Sequence, residues 1–570
     1  MVASKRNFAK DEQILLMTLP FLTPVCPPSG ISCLKAALGH EGYKVKTADA
    51  MGEMEIRGVC YTYFDKLESF VPEEKRGHFF NIGLDVINNH FMAHINYEDE
   101  LKYQELIQEI VYQNFFVRLN DAEVLSLIEI VKEYYLKLTE YLVALIEKVK
   151  PSILGISVCR GTLASALFAF RLVKSKYSQI ITLMGGTIFS QELFIGTPNY
   201  QLFMKKADCI DKILVGEGET LFLKYLRGEL PTDKKVYTLE DIGNELLDLN
   251  KLEIPDYNDF DLSNYPLIPA YTSRGCVYQC SFCAETVFWK KYRKKDAIKI
   301  VDEFERLSCR YDKNILLLTD CLINPIVTDL AQEIINRDLS LYWDVYLKVD
   351  NYVCDPEYTF LWRRGGFYRA RLGVESGSQR ILDIIDKRIT IEQIKKAISS
   401  LATAGIKTTT YWIAGHPGET EADFQQTLDL LEELADDIFE AEADPFRYFY
   451  SGQVDGDKWL QETGNSLLYP EEATEMLITQ TWKLHAYPKR EEIYNRACRF
   501  RQHCKKLGIP NPYSVSEIYK ADERWRKLHK NAVPALMDLE KQELFLGENK
   551  RISPIIAAQK TNFAEADFAF

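Results

Sequence analysis

Short apolar runs of strand length alternate with stretches of helical period in the first 230 residues of the chain. Strands are predicted at Ile14–Thr18, Tyr43–Thr47, Ile153–Val158, Ile180–Met184 and Lys212–Val215. Strands that alternate with helices favour a doubly wound parallel sheet, whose ligands bind at the carboxyl ends of the strands. The last two strands end in Gly185-Gly186 and in Gly216-Glu217-Gly218-Glu219. These glycines are consistent with a ligand-binding edge and equally with simple turns.

The region from about 51 to 150 breaks this alternation and predicts a helical insertion. Apolar residues between Val124 and Val149 recur at steps of three and four, which is the spacing of one helix face. Asn120 followed by Glu123 is a plausible capping pair at the start of that helix. We therefore predict an amino-terminal α/β domain over residues 1–230 that contains this insertion.

Strands and helices alternate again after an acidic linker at 231–265. Six further strands are predicted, the last of them weakly, at Pro269–Ser273, Asn314–Thr319, Tyr342–Leu347, Tyr368–Val374, Lys407–Ile413 and Ile438–Phe446. Six βα units indicate a parallel barrel or partial barrel over residues 266–455, with its chemistry on the loops at the strand carboxyl ends. Residues 456–570 are predicted to be mostly helical.

An uncharged run at Gln13–Leu34 has the length of a membrane-spanning segment. It contains Pro20, Pro24, Pro27 and Pro28, which a spanning helix does not tolerate together. No small-residue cleavage site of the kind that ends a signal peptide follows it. We expect a buried strand and a Pro/Gly loop here, and no membrane span.

Composition restricts the compartment and the partners. The 570 residues carry a formal net charge of -14, so the chain repels phosphate backbones and no nucleic-acid partner is expected. The 13 cysteines are odd in number and scattered, which is typical of a reducing compartment rather than of a disulfide framework. We expect a cytoplasmic protein whose thiols are available to metals.

Three cysteines lie close together directly after the first predicted barrel strand. Cys276, Cys280 and Cys283 have the spacing C-x3-C-x2-C. Three thiolates in one loop can hold one face of a 4Fe-4S cluster, because thiolate is the ligand that iron-sulfur clusters prefer. Three ligands for four irons leave one iron open to a small molecule.

A zinc site and a redox dithiol are the alternatives for these cysteines. A structural zinc needs a fourth ligand, usually from a second nearby pair. No histidine lies between His94 and His416, and the nearest other cysteines, Cys309 and Cys321, belong to no CxxC pair. A dithiol would use only two of the three thiols.

The cysteine loop and three later segments resemble, in order, the motifs of the radical S-adenosylmethionine (SAM) superfamily. The loop matches the signature CxxxCxΦC, with Phe282 at the aromatic position. The later segments are Leu318–Asn324, Leu372–Arg380 and Ala414–Thr420. The resemblance implies a 4Fe-4S cluster whose open iron binds SAM. It also implies cleavage of SAM to a 5'-deoxyadenosyl radical that abstracts a hydrogen atom from the substrate.

The same resemblance implies candidate contacts to SAM and assigns no catalytic residue of the chain itself. Phe282 would border the adenine, and the ribose or methionine part would be held by Asp320, Lys348, Glu375 and Ser376. Each of these polar residues ends an apolar strand at the predicted barrel mouth. Ordinary residues of strand-end turns would occupy the same positions.

The order of an α/β domain, a Pro255-Asp256-Tyr257 linker and a CxxxCxxC barrel resembles the cobalamin-binding subgroup. Cobalamin would lie across the carboxyl edge of the amino-terminal sheet, with candidate contacts Ser157, Gly185, Gly186, Glu217 and Gly218. The DxHxxG motif is absent, which implies base-off binding without a lower histidine. The insertion departs from the subgroup; it could cap the cofactor, bind a partner or replace the cofactor.

The subgroup implies cobalamin-dependent methylation of an unactivated carbon in a peptide or natural-product substrate. It also implies a reductant of the flavodoxin or ferredoxin type. Two alternatives stay open. One is a peptide-modifying epimerase, rearrangement or carbon-excision enzyme whose amino-terminal domain is a scaffold. The other is a non-catalytic scaffold with an inert cluster.

Overall fold

The computed structural model describes residues 8–20, 25–512 and 515–529. Its strands are β1 Gln13–Thr18, β2 Lys44–Asp49, β3 Ile153–Ser157, β4 Ile181–Gly185, β5 Lys212–Val215, β6 Val236–Thr238, β7 Ile268–Ala270, β8 Ser273–Arg274, β9 Arg293–Lys294, β10 Ile315–Leu318, β11 Tyr342–Leu347, β12 Phe367–Glu375, β13 Lys407–Ala414, β14 Glu440–Pro445, β15 Asn465–Leu467 and β16 Trp482–Leu484.

The helices of the amino-terminal half are α1 Ser29–His40, α2 Met54–Phe70, α3 Phe79–His94, α4 Glu100–Phe115, α5 Asp121–Val149, α6 Leu163–Lys176, α7 Pro198–Lys206 and α8 Gly218–Leu226. Those of the carboxyl-terminal half are α9 Glu285–Trp289, α10 Ala297–Tyr311, α11 Val327–Asn336, α12 Pro356–Arg364, α13 Gln379–Ile384, α14 Ile391–Thr403, α15 Glu421–Glu433, α16 Gly456–Thr463, α17 Thr474–Leu477, α18 Arg490–Leu507 and α19 Val515–Leu528.

The amino-terminal sheet is parallel throughout and has the strand order β2-β1-β3-β4-β5-β6. This confirms the predicted doubly wound sheet, to which the structure adds β6. Successive residues of a strand face opposite sides of the sheet. In β1, Ile14 and Leu16 therefore pack with α1 and α8, whereas Leu15 and Met17 pack with the helical insertion.

The predicted insertion consists of four helices, α2 to α5, between β2 and β3. Helix α5 begins at the predicted cap, where Asn120 and Glu123 each accept a hydrogen bond from the other's backbone N–H. The apolar residues of all four helices share one core with the face of the sheet that carries Leu15. The insertion is thus packed into the amino-terminal sheet rather than appended to it.

The second sheet is also parallel and has the order β14-β13-β12-β11-β10-β7, which confirms the predicted six-stranded partial barrel. The first strand is shorter than the predicted Pro269–Ser273 and ends at Ala270. The reason is that the backbone N–H groups of Thr272 and Ser273 donate to the Asp320 carboxylate instead of continuing the ladder. The chain then forms the small antiparallel pair β8–β9.

Strand β14 lies at the edge of this sheet and is covered by the insertion and by the carboxyl-terminal region. Asn81 of α3 donates to the carboxylates of Glu442 and Asp444, and the backbone N–H of Ala443 donates to His78. Helix α18 packs on β13 and β14 from the other side. The described part of the carboxyl-terminal region, up to residue 529, is mostly helical as predicted, with a β15–β16 hairpin added. Residues 530–570 and residues 21–24, which include Pro24, lie outside the described part.

No described helix combines the length and the apolar character that a membrane crossing requires. The predicted strand at Ile14–Thr18 is instead buried as β1, next to β2 and β3 in the sheet.

Candidate functional site

The loop between β8 and α9 brings the three candidate cluster thiols together. Cys280 is buried, and Cys276 and Cys283 are half-buried. Burial raises the pKa of the Cys276 thiol, and the neighbouring Cys283 and Cys280 thiols raise it further. Thr286 donates its hydroxyl to Cys283 Sγ at 3.3 Å, and the Tyr278 N–H donates to Cys276 Sγ at 3.5 Å. Two of the sulfur atoms thus already accept the hydrogen bonds that a thiolate favours.

A single-ion site and a cluster make different demands on the arrangement of the three thiols. Among the described residues, no group of three or more His, Cys, Asp or Glu side chains converges on one metal ion. Zinc needs such convergence, because its ligands surround one centre. A cubane cluster does not need it, because each thiolate binds a different iron. The 4Fe-4S cluster stays the prediction for the three thiols.

Lys348, which follows β11, presents a buried charge beside this loop. Its Nζ lies 3.3 Å from the centroid of the Tyr278 ring and has no hydrogen-bond acceptor among the described residues. Burial lowers the pKa of Lys348 to about 8. A buried ammonium group without a counter-ion fits the carboxylate of a bound ligand.

Glu375, at the end of β12, accepts a hydrogen bond from Lys387 Nζ at 2.6 Å. Burial alone would lower the pKa of Lys387, but the Glu375 carboxylate raises it above its ordinary value. Gly373 permits this pairing, because a Cβ there would lie 2.4 Å from Glu375 Oε1. Ser376 accepts from the Ser378 N–H and lies against α15. Glu375 and Ser376 thus lie at the barrel mouth, where the sequence places them.

Asp320 is buried and fully engaged by the segment that precedes the cysteine loop. Its carboxylate accepts from the backbone and hydroxyl groups of Thr272 and Ser273. This arrangement favours a role in positioning the loop, so the predicted contact of Asp320 to SAM stays a prediction. Phe282 is half-buried against the barrel core, with Lys387 Nζ 5.8 Å from its ring centroid.

The five residues predicted to contact cobalamin line one open cavity at the carboxyl ends of β3, β4 and β5. Its lining also includes Arg274 of β8 and Phe288 and Trp289 of α9, the two elements that flank the cysteine loop. Gly186 has φ +113°, and a Cβ there would lie 2.3 Å from the Val158 carbonyl oxygen, so only glycine fits. One cavity therefore lies between the edge of the amino-terminal sheet and the two elements that flank the cysteine loop.

Glu217 lines this cavity, but its carboxylate is already paired. It accepts from Arg274 at 2.9 Å and from Arg293 at 2.7 Å, while Glu219 accepts from Arg274 at 2.5 Å. Burial opposes ionisation of Glu217, but Arg293 and Arg274 hold its pKa below the ordinary value. This acidic pair, Glu217 and Glu219, joins the sheet edge to the residue before Gly275. Sequence reasoning missed it, although the opposite charges of the two segments were visible.

Comparison with known proteins agrees with these geometries. Residues 271–431 match the family described as the radical SAM superfamily. The anaerobic magnesium-protoporphyrin IX monomethyl ester cyclase of Rubrivivax gelatinosus is 29% identical over 51% of this chain and 56% of its own length. An uncharacterized methyltransferase of Pyrococcus horikoshii is 26% identical over 51% of this chain and 66% of its own length. The chain thus spans less than two thirds of either relative.

A solved structure shares the fold over nearly the whole chain. The radical SAM methyltransferase TsrM from Kitasatospora setae, with cobalamin and a [4Fe-4S] cluster bound, superposes with a TM-score of 0.55. The match covers 95% of this chain and 100% of that one at 13% sequence identity. The likeness therefore extends to both sheets and to their order along the chain.

Proposed function

We propose that this chain, which carries a radical SAM domain in residues 271–431 and has the fold of a cobalamin-binding radical SAM methyltransferase, methylates an unactivated carbon. The substrate is a peptide or natural product, and a flavodoxin- or ferredoxin-type protein is the reductant. The observation that carries the proposal is the single cavity shared by the sheet edge and by β8 and α9, which flank the cysteine loop. Two cofactors that react with each other need such a common space.

The described residues fit these groups. When bound, the reduced cluster supplies the electron that cleaves SAM, and cobalamin supplies the methyl group. Cys276, Cys280 and Cys283 hold the cluster. Lys348 offers its uncompensated ammonium group to the methionine carboxylate of SAM, and Glu375 offers its carboxylate to the cationic part.

Other residues position the loop and exclude water. Asp320 fixes the segment before the cysteines, and Arg274 ties it to the acidic pair. Phe288 and Trp289 cover the cavity from the barrel side, which removes water from the space between the cofactors.

Replacing any one of Cys276, Cys280 and Cys283 by alanine should abolish 5'-deoxyadenosine formation from SAM. The reason is that a cubane held by two thiolates is no longer fixed at the barrel mouth. Anaerobically reconstituted wild-type protein should contain about four irons per chain. Cys309→Ala is the control, because Cys309 is exposed and outside the loop. Deoxyadenosine formation that persists in any of the three loop variants contradicts the proposal.

Cobalamin binding is tested by the visible spectrum after incubation with hydroxocobalamin and desalting. The wild type should retain the corrin absorbance at one equivalent per chain. Ser157→Trp, which fills the carboxyl edge of β3, should lower the retained corrin at least about tenfold while the iron content is unchanged. Ser175→Trp, on the exposed face of α6, should retain it. Equal retention by both variants would show that cobalamin binds elsewhere.

A second candidate is a radical reaction without methyl transfer, favoured by the likeness to an anaerobic cyclase. The two candidates differ in the mass of the product. Methylation replaces one hydrogen of the substrate by a methyl group. A cyclisation, epimerisation or rearrangement adds no carbon.

A further inference from the structure

A second cavity lies where four parts of the chain meet. We call it the inner chamber. Its walls come from α3 and α4 of the insertion, from the loops after β3 and β4, from the carboxyl ends of β13 and β14, and from the β15–β16 hairpin with the start of α18. None of the predicted site residues lines it.

The inner chamber adjoins the cysteine loop through one continuous segment. Residues 446–450 after β14 line the chamber. Directly after them, Gln453 donates to the Phe282 carbonyl, Val454 N–H to the Cys283 carbonyl and Asp455 N–H to the Ser281 carbonyl. The chamber is therefore placed beside the predicted radical chemistry.

Seven aromatic residues contribute to the chamber wall. The lining includes Phe446, Tyr448, Phe449, Tyr450, Tyr469, Trp482 and Tyr494. Aromatic rings in a wall can stack against the faces of a flat, conjugated ligand, and such stacking needs no polar groups on those faces. It favours a planar ligand over a flexible polar chain.

Most charged groups of the chamber neutralise one another. Arg160 pairs with Asp85 at 2.5 Å and with Glu192 at 3.0 Å, and Arg447 pairs with Asp85 at 3.1 Å. These two cations and two carboxylates leave no net charge on that side of the chamber. They form a fixed polar wall rather than a site for an ion.

Arg490, at the first turn of α18, is different, because no carboxylate pairs with it among the described residues. Its Nε donates to the Gln113 carbonyl, and one Nη donates to Asn114 Oδ1 and Tyr494 OH. Its guanidinium also lies 4.5 Å from the Tyr494 ring centroid. The second Nη makes no hydrogen bond to the described residues. A guanidinium held by neutral groups in a cavity leaves its charge for an anionic ligand.

Gln480 adds an unpartnered amide to the same chamber. The residue is 3% exposed, and neither its side-chain oxygen nor its side-chain nitrogen has a partner among the described residues. Only its backbone is fixed, by two hydrogen bonds to Asn199. Leaving a buried amide unpaired is costly, so a ligand with a polar edge would satisfy it.

We propose that the inner chamber is the substrate site and that it takes an organic anion with a flat conjugated body. A carboxylate of this ligand pairs with Arg490, and a polar edge of its body pairs with the Gln480 amide. Only the statement that the bound anion is the enzyme's substrate rests on the proposed function. The chamber and its charge preference are independent of that function.

Binding of 1-naphthoate and of the neutral 1-naphthalenemethanol to the reconstituted full chain, measured by calorimetry, tests this inference. The wild type should bind 1-naphthoate at least about tenfold more tightly, since a charge-assisted pair with Arg490 is available to it alone. Arg490→Gln should remove this preference and leave the affinity for 1-naphthalenemethanol unchanged. Lys489→Gln, which removes an exposed charge one residue earlier, should leave both affinities at the wild-type level.

The wild-type comparison stands without any variant, so a misfolded Arg490→Gln protein does not remove the test. Equal affinity of the wild type for both probes overturns the inference, and so does a preference that Arg490→Gln and Lys489→Gln weaken equally. Cys276→Ala should bind 1-naphthoate like the wild type. A naphthoate preference in protein that fails to cleave SAM refutes the proposed function alone. Cleavage of SAM without the preference refutes this inference alone.

Discussion

Arg274 shows how one residue outside every recognised motif element can organise the site. Its guanidinium pairs with both members of the acidic pair and lies 5.3 Å and 5.5 Å from the ring centroids of Tyr271 and Trp289. Burial opposes its charge, yet Glu219 and its other neighbours hold the pKa of Arg274 above the ordinary value. Arg274, directly before the cysteine loop, thus has its counter-charges in the segment that follows β5 of the amino-terminal sheet.

Arg274→Gln should lower the free energy of unfolding by about 3–5 kcal/mol, because two buried carboxylates lose a compensating charge. Denaturant unfolding measures this loss. Arg310→Gln is the matched control. Arg310 is exposed, and its guanidinium makes a long ion pair with Asp256, at 3.8 Å. Loss of this exposed pair should lower the free energy of unfolding by less than about 1 kcal/mol. Neutralising the acidic pair as well, with Glu217→Gln and Glu219→Gln, should restore part of the stability. A single variant as stable as the control would contradict the argument.

The sequence could indicate the cysteines but not their charged support. Cys276, Cys280 and Cys283 lie within one loop, so their spacing in the sequence is enough to indicate that the three thiols can bind one cluster. Arg274 and Glu217 are 57 residues apart, and each reads as an ordinary surface charge until the two sheets are placed together. Pairings of this kind depend on tertiary structure and leave no periodic pattern.

The helical insertion is the element in which local pattern was least informative. Helix α5 could be predicted because it has one apolar face and a capping box. Helix α3 could not be separated from its neighbours. It is buried on nearly every side, between the sheet, the other helices and β14, so its apolar residues follow no single face.

Stability should fall as the pH drops below about 6.5, and His90 in this insertion should account for part of the loss. His90 lies between the hydroxyls of Tyr63 and Tyr103, at 2.8 Å and 2.9 Å, and burial lowers its pKa well below the ordinary value. In the unfolded chain His90 binds a proton near pH 6.5, whereas in the folded chain it stays neutral at that pH. The contribution of neutral His90 to the free energy of unfolding is therefore complete above pH 6.5. It is lost on acidification, by up to about 1.4 kcal/mol per pH unit.

His90→Gln tests this assignment through denaturant unfolding at several pH values. The variant should be less stable at neutral pH, but its stability should depend less steeply on pH between about 6.5 and 4. His485→Gln, at an exposed position of the carboxyl-terminal region, should keep the wild-type slope. An unchanged slope in His90→Gln would assign the acid sensitivity to other groups.

At the scale of the whole molecule, both sheets could be predicted and their relative placement could not. Each strand and its following helix are local in sequence, so their alternation indicates a parallel sheet. The contact between Asn81 and Glu442 joins residues 361 positions apart, and the contacts around Asn199 and Gln480 span 281. The walls of the inner chamber are brought together by such long-range contacts. Because these contacts leave no local pattern, the chamber could not be predicted from a sequence motif.

The pairing of Arg274 with Glu217 and Glu219 has a consequence for recombination between related genes. The two halves of the ion cluster lie on either side of the segment between β6 and β7, which is where a crossover would exchange whole sheets. A hybrid that receives only one half buries charge without its partner and is selected against. The acidic residues after β5 and the arginine before the cysteines should therefore be inherited as one unit, even when the substrate-facing parts of the two genes diverge.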